Sequence, residues 1–298
     1  MPYLLVVSVI WAFSFGLIKT HLAGMPAATI TVLRLLLALA VFLPFWRPGR
    51  LPARLAGALT LTGAVQYGLM YLCYLAAFAR LSAHEVALFT IFTPLWVTFW
   101  ERLGRGALPA RFWLAALLAV AGAAVLLVGH GTGGPRPWTG FLLVQASNAA
   151  FAWGQTRYRA LFPQLSALRE EQLFAWLYLG GVLAALPVLL LAGGNGQVLV
   201  RLTLPQAAIL AYLGVLASGV CFFWWNRGAR LVNAGVLAAM NNLKIPLAVL
   251  VSLVVFGERA DPVRLALSCA LAVLAVLVAR SENAGRDRHF RNCGSHSN

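Results

Sequence analysis

The chain has 298 residues, of which 61% are hydrophobic and only 10% charged, against about 25% charged in a soluble globular protein. That composition excludes a water-soluble fold, and successive apolar runs of about 20 residues leave no stretch for a separate globular domain. The formal charge of +15 does not mark a nucleic-acid partner, because the basic residues are scattered in short loops and form no stripe.

In chain order, spanning helices are expected at 3–20, 28–46, 55–79, 84–102, 111–129, 138–157, 172–192, 205–226, 234–256 and 262–280, separated by Arg, Pro and Gly clusters. The first begins MPYLLVVSVIWAFSFGLIK, with no basic stretch ahead of the apolar run and no small-residue cleavage pattern. It therefore reads as an uncleaved spanning helix. Residues 281–298 are polar and aperiodic, and a disordered cytoplasmic tail is expected there. Cys73, Cys221 and Cys269 fall in apolar runs and Cys293 in the tail. With no CxxC and no Cys/His cluster, neither a disulfide nor a metal site is expected, and no cofactor.

Lys and Arg are retained on the cytoplasmic side during insertion. With the N-terminus inside, fifteen basic residues fall in cytoplasmic segments, among them Arg47, Arg50, Arg54, Arg102, Arg105, Arg157, Arg159, Arg227 and Arg230. Six fall on the opposite side, from Lys19 to Arg264, and Arg34 and Lys244 lie inside spans. Both termini are expected in the cytoplasm, which requires an even number of spans.

The two halves echo one another. Pro94-Leu95, Glu101-Arg102 and Pro109-Ala110-Arg111 recur as Pro246-Leu247, Glu258-Arg259 and Pro262-Val263-Arg264, at offsets of 152 to 157. Gly68, Tyr74 and Ala83 align with Gly219, Trp225 and Ala234 at an offset of 151, and Leu43-Pro44 aligns with Leu186-Pro187. Chance alignment of apolar segments is the competing explanation, and the ordered register weighs against it. An odd number of spans per repeat makes the second copy enter from the other side, the geometry that alternating access needs. The expected fold is an all-α membrane protein of ten transmembrane helices in two inverted five-helix repeats, residues 1–130 and 131–280.

Several of these pieces together resemble a known family. They are the tryptophan in VIWAFSF, the VLRLLLA run around Arg34, and the two copies of a proline followed by a helix-ending Glu-Arg pair. The most distinctive is WNRGARLVNAGVLAAMNNLKIPLAVLVSLVVFGE at 225–258. Over residues 1 to 280 the chain resembles the drug/metabolite transporter superfamily, and within it the EamA-type ten-helix transporters. Trp225-Asn226-x-Gly228 is also similar to the aromatic-amino-acid exporter branch. The first repeat departs from the family spacing, with seven residues from Pro94 to Glu101 against twelve from Pro246 to Glu258. The resemblance implies a multi-pass protein of the bacterial inner membrane that exports amino acids or related metabolites.

Lys244 carries the most chemistry, because it lies near the middle of the ninth span, where a cation costs about 2.5–3.5 kcal/mol. Asn241 shares its helix face and Asn242 lies about 100° round. Pro246 frees the carbonyl of Asn242, as Pro94 frees that of Thr90, beside which Thr93 adds a hydroxyl. The two prolines are the expected hinges. None of the eight acids lies deep within a span. Lys244 is therefore either uncharged or open to a wet cavity that receives a substrate carboxylate; satisfaction by Asn side chains and backbone carbonyls is the structural alternative.

Gln145, Asn148, Ala152 and Gln155 follow i, i+3, i+7 and i+10 and form one polar stripe, read equally as cavity lining or as interhelical hydrogen bonding. Tyr67, Tyr71, Tyr74 and Phe78 form an aromatic row on the third span. Tyr67 and Tyr71 are too deep for an interfacial belt, whereas Trp100, Trp224 and Trp225 suit one. Ser8, Trp11 and Phe15 are weaker candidates for the same space. Arg34 lies two turns into the second span, where snorkelling to the outer surface competes with a vestibule role. His84 and Glu85 open the fourth span, as a cap or as a proton-coupling site. The Ala115, Ala119 and Ala123 pattern, with Ser268 and Ala272, reads as small-residue packing.

An enzyme would need paired carboxylates, a metal cluster or an activated nucleophile, and a channel would need a filter loop or charged ring; the sequence has neither pattern. The expected function is secondary transport of a small metabolite, an amino acid or related carboxylate, outward by alternating access. Without a carboxylate at the core, facilitated diffusion is expected, and a proton-coupled drug/metabolite antiporter is the alternative. The expected partners are the small-molecule substrate and the lipid bilayer, and the chain is a monomer or homodimer.

Overall fold

Twenty residues of α-helix rise about 30 Å, the thickness of a bilayer's hydrocarbon core, and α1 (Pro2–His21) has that length. The computed structural model describes residues 2–103, 137–165, 168–192, 202–231 and 234–280, with scattered positions between 114 and 125. The further helices are α2 (Ala27–Phe42, prolonged by a 3-10 turn to Phe45), α3 (Ala53–Ala77), α4 (83–102), α5 (Pro137–Leu161), α6 (Glu170–Leu191), α7 (Leu204–Arg230), α8 (Ala234–Val254) and α9 (Pro262–Arg280). No strand occurs among the described residues. The expected fifth span at 111–129 falls mostly outside them, although its described positions are helical, and the tail at 281–298 lies wholly outside. The side chains of Asn241 and Asn242 are also outside the described set.

The side chains are arranged inside out relative to a soluble protein. Leu5, Val9, Leu36, Leu61, Leu142 and Leu183 are exposed, while Arg34, Gln66, Asn148 and Lys244 are buried. Among the described residues five helices, α1, α2, α3, α6 and α7, are long and apolar enough to cross a membrane.

Helix α3 contains a π-helical stretch at Ala64–Leu69 and α7 another at Tyr212–Val220. These stretches occupy related positions at the offset of 151 seen in the sequence. Just before or within them, Gly63 and Gly214 allow close backbone approach. A Cβ on Gly63 would sit 1.8 Å from the Leu177 carbonyl of α6, and one on Gly214 would sit 2.6 Å from Leu37 Cβ of α2. These pairings and two more cross the halves: α3 packs on α6, α7 on α2, α1 on α8, and α5 on α4.

Contacts between helix ends fall into two groups. In one, Lys19 Nζ donates to the Phe78 and Leu81 carbonyls, Gln206 Nε2 to the His21 carbonyl, and Glu258 meets the start of α4. In the other, Arg230 pairs with Glu170, Arg159 lies 4.0 Å from Glu101, and the Trp46 and Trp176 rings meet edge to face.

Helix α4 is the least regular. A capping box at Ser82 and Glu85 starts it. A 3-10 turn at Thr90–Phe92 interrupts it, and Pro94 sits in the first turn of the following segment, where its missing N–H costs least. Pro246 lies inside the continuous α8. The two expected hinges are therefore unequal: one marks a break and the other stays within a helix.

Candidate functional site

The helices converge on a cavity of ≈ 80 Å³ in the bundle interior, lined from α1 by Trp11, Ser14 and Phe15, from α2 by Arg34, and from α3 by Met70, Tyr71 and Tyr74. Thr90 and Thr93 of α4, Ser147, Asn148 and Phe151 of α5, Phe222 of α7 and Lys244 of α8 close it. That volume has room for a handful of water molecules.

Lys244 is 8% exposed, and its ammonium is boxed by aromatic rings: Nζ lies 4.9 Å from the Trp11 ring centroid, 5.8 Å from that of Trp225 and 5.9 Å from that of Phe151. Ring faces stabilise a cation without neutralising it or using up its N–H donors. Trp11 is itself fixed, since its Nε1 donates to the Ala217 carbonyl at 2.8 Å, within the π-helical stretch of α7.

Arg34 faces the same cavity and is only 3% exposed. Its Nη2 donates to Tyr71 Oη at 3.0 Å and its Nε to Ser218 Oγ at 3.2 Å, while Tyr71 Oη and Ser218 Oγ lie 2.8 Å apart. The guanidinium carbon lies 4.2 Å from the Tyr71 ring centroid. Sequence reasoning favoured a snorkelling side chain here. The structure instead turns Arg34 inward, because Ser218 and Tyr71 supply polar partners that a path to the lipid surface lacks. The residue's depth in an apolar run was the only signal, and the partner Ser218 is 184 positions away.

Thr90 and Thr93 line the cavity, but the freed carbonyl does not stay free. Thr93 Oγ1 donates to the Thr90 carbonyl at 2.7 Å, and Thr90 Oγ1 to that of Ala87 at 2.7 Å. Asn148 lines it too, with Nδ2 donating to the Phe89 carbonyl at 2.9 Å. Gln145 does not. Its Oε1 accepts from Trp96 Nε1 at 3.1 Å and its Nε2 donates to the Phe89 carbonyl, so it joins α5 to α4.

Tyr67 is also set apart from the cavity. It is fully buried, stacked on Tyr178 with centroids 4.9 Å apart, and its hydroxyl accepts from Asn226 Nδ2. Tyr67 lies inside the π-helical stretch, and a π turn takes more residues than an α turn. Counting i to i+4 from Tyr71 therefore assigns Tyr67 to a face it does not occupy.

His84 lies outside the cavity, at the start of α4. Its Nδ1 is 2.8 Å from Glu258 Oε2, and the Ala83 and His84 backbone N–H groups donate to the same carboxylate at 2.7 and 2.9 Å. Burial raises the Glu258 carboxyl pKa, but the hydrogen bonds from the His84 ring and these two amides outweigh it and hold the pKa below the usual value. Ser268 Oγ donates to the Gly122 carbonyl at 2.7 Å, while Ala115, Ala119 and Ala123 of the expected small-residue face lie outside the described residues.

Among the described lining residues, then, the cavity holds two cations and no carboxylate. An interior with that balance favours an anionic or acceptor-rich ligand.

Residues 1–128 match the model of the EamA-like transporter family. A probable biotin transporter of Pseudomonas aeruginosa is 42% identical over 288 residues, which is 94% of this chain and 97% of that protein. The biotin transporter of Escherichia coli K12 is 39% identical over 261 residues, 87% of this chain and 86% of the other. A crystal structure 19% identical in sequence covers 94% of this chain and 96% of its own with a TM-score of 0.59, a likeness of fold alone.

Proposed function

Because the chain belongs to the EamA-like transporter family, in the drug/metabolite transporter superfamily, and is a multi-pass transporter of the bacterial inner membrane, we propose that it carries a small carboxylate, with biotin as first candidate, by alternating access. The observation that carries this reading is the pair of cations, Lys244 and Arg34, in an aromatic-lined cavity with no lining carboxylate among the described residues. Lys244 receives the substrate carboxylate, and Trp11, Tyr71 and Phe222 cover its apolar body.

The names of the relatives favour biotin over the amino acid that the exporter-like motif suggests. Physical chemistry points the same way: an amino acid brings an ammonium group, and no described lining carboxylate is there to meet it. Outward flux belongs with the amino-acid reading; for biotin, direction follows the gradient.

In the proposed topology, ten helices form two inverted five-helix repeats, residues 1–130 and 131–280, with both termini in the cytoplasm. The two π-helical stretches, the paired glycines and the crossed packing of the halves support it. The two groups of end contacts support the orientation, since Arg159 and Arg230 fall in one group and the Glu258 loop in the other. Pro94 and Pro246 act as unequal hinges, and a monomer suffices, with a homodimer as the alternative. Transport is facilitated diffusion, because the one His–Glu contact among the described residues lies at a helix end away from the cavity.

The test is counterflow in proteoliposomes. Labelled biotin should enter saturably, faster when unlabelled biotin is inside, unaffected by excess phenylalanine and little changed by an imposed pH gradient. Counterflow of phenylalanine without that of biotin would overturn the substrate assignment. Non-saturating flux would favour a channel.

A further inference from the structure

A groove of ≈ 740 Å³ opens on the surface of the bundle along the seam of α3 and α6. Small residues line most of it: Ala56, Gly57, Thr60 and Ala64 of α3, with Gly180 and Ala184 of α6. The two backbones approach closely there, since a Cβ on Gly180 would sit 1.8 Å from the Thr60 carbonyl. The exposed side chains of Leu61 and Leu183 complete an apolar trench. From Ala53 to Ala64 it follows α3 for about 16 Å, about half the hydrocarbon thickness of a bilayer.

At one end the groove reaches the loop between α2 and α3, where Pro48, Leu51 and Ala53 line it. Each of these is next in the chain to an arginine, Arg47, Arg50 or Arg54, and all three arginines are exposed. The chain has no acidic residue before Glu85. The two acids that open α6 are already paired, Glu170 with Arg230 and Glu171 with Arg169. Arg47 Nη1 donates only to the Pro44 and Trp46 carbonyls, which leaves its charge uncompensated. Trp176, another lining residue, meets Trp46 edge to face, and tryptophan settles at the headgroup level of a bilayer.

Arginines at helix ends are common in membrane proteins and do not make a site by themselves. The groove at Arg157 and Arg159 shows the difference, because Glu101 lines it too and lies 4.0 Å from Arg159. There an acid of the protein meets the charge. At 47–54 the cations stand without a described acid at the mouth of an apolar trench.

We propose that this groove binds an anionic phospholipid, with one acyl chain along the α3–α6 seam and the phosphate headgroup at Arg47, Arg50 and Arg54. The trench gives the chain apolar contact through about one leaflet, and the arginines give the phosphate charge-assisted hydrogen bonds. A second copy of the chain is the competing occupant. A two-fold axis along the membrane normal would bring the same three arginines of both copies together, which like charges oppose. The inference rests on the membrane location of the chain and is independent of the substrate.

The experiment is native mass spectrometry of the detergent-solubilised protein titrated with dioleoyl phosphatidylglycerol or dioleoyl phosphatidylcholine, which share their chains and differ in net charge. Each basic residue near an anionic headgroup is worth about fivefold in affinity, so the wild-type protein should hold one phosphatidylglycerol at least about tenfold more tightly than phosphatidylcholine. In the triple variant Arg47→Gln, Arg50→Gln and Arg54→Gln that preference should disappear. Gly57→Leu tests the trench. A Cβ on Gly57 meets nothing within 4 Å, so the added side chain enters the groove without disturbing the helix packing and should weaken retention of both lipids.

Equal retention of the two lipids by the wild-type protein overturns the proposal, as does a preference that survives in the triple variant. Displacement of the lipid by inorganic phosphate would reveal an anion site that needs no groove, and a dimer that retains no lipid would assign the groove to a second copy; either result also overturns it. If the triple variant does not fold, Gly57→Leu decides. Phosphatidylglycerol should raise the thermal midpoint of the wild-type protein and not that of Gly57→Leu, and an equal rise in both would remove the groove from the site.

Discussion

Charge is handled in opposite ways at two places in this molecule. At the start of α4 the Glu258 carboxylate meets the His84 ring and two backbone N–H groups, so each partner is satisfied within the protein. In the cavity, two cations are held by ring faces and hydroxyls, with no described lining acid to neutralise them. The first arrangement fastens a helix end. The second leaves a donor unmet in a low-dielectric interior, since Arg34 Nη1 is buried without a partner. The presence of ionisable groups alone therefore does not mark the proposed site; their incompleteness supports it.

The largest expected effect comes from emptying the cavity of its ammonium. Lys244→Ala should lower saturable biotin counterflow by about 100-fold or more, because losing one partner of a buried charge pair costs about 2–5 kcal/mol. The variant should still elute as folded protein in detergent, and unchanged kinetics would remove Lys244 from the site. A smaller effect is expected from giving the cavity the acid it lacks. Thr90 lines the cavity on α4, whose interrupted segment packs on α8, the helix of Lys244. In Thr90→Asp the new carboxylate either pairs with Lys244 or repels that of the substrate, and KM for biotin should rise about tenfold. An unchanged KM would show that the cavity's charge is not what the substrate reads.

The helices were legible because a bilayer imposes length and composition together. The expected spans at 3–20 and 172–192 became Pro2–His21 and Glu170–Leu191. Lys244, Trp11, Tyr71 and Asn148, singled out in the sequence because polar or aromatic side chains deep in apolar runs have few other uses, line the cavity. Two features were not legible. The π-helical stretches shift helical phase without a local sequence mark, which displaced Tyr67 from its expected face. Arg34 depended on Ser218, a partner from the other half of the chain, and spacing along one helix carries no information about that.

The smallest effect is expected at the satisfied cluster, and it is the sharpest check on the contrast. Glu258→Gln keeps the shape of the side chain but loses its charge, and the amide nitrogen cannot accept from an N–H of α4. Stability should fall by about 1–3 kcal/mol, read as a lower midpoint of thermal unfolding, while KM for biotin changes little. The pH dependence has a definite sign. Glu258 has its carboxyl pKa lowered in the folded protein. Its contribution is therefore fully present above the unfolded value of about 4.3 and is lost as pH falls through the lower folded value. The wild-type advantage over Glu258→Gln should narrow as pH falls below that unfolded value and through the lower folded one. If transport fell as steeply as stability at neutral pH, the Glu258 cluster would belong to the transport machinery, and the division between a fastening cluster and an incomplete one would fail.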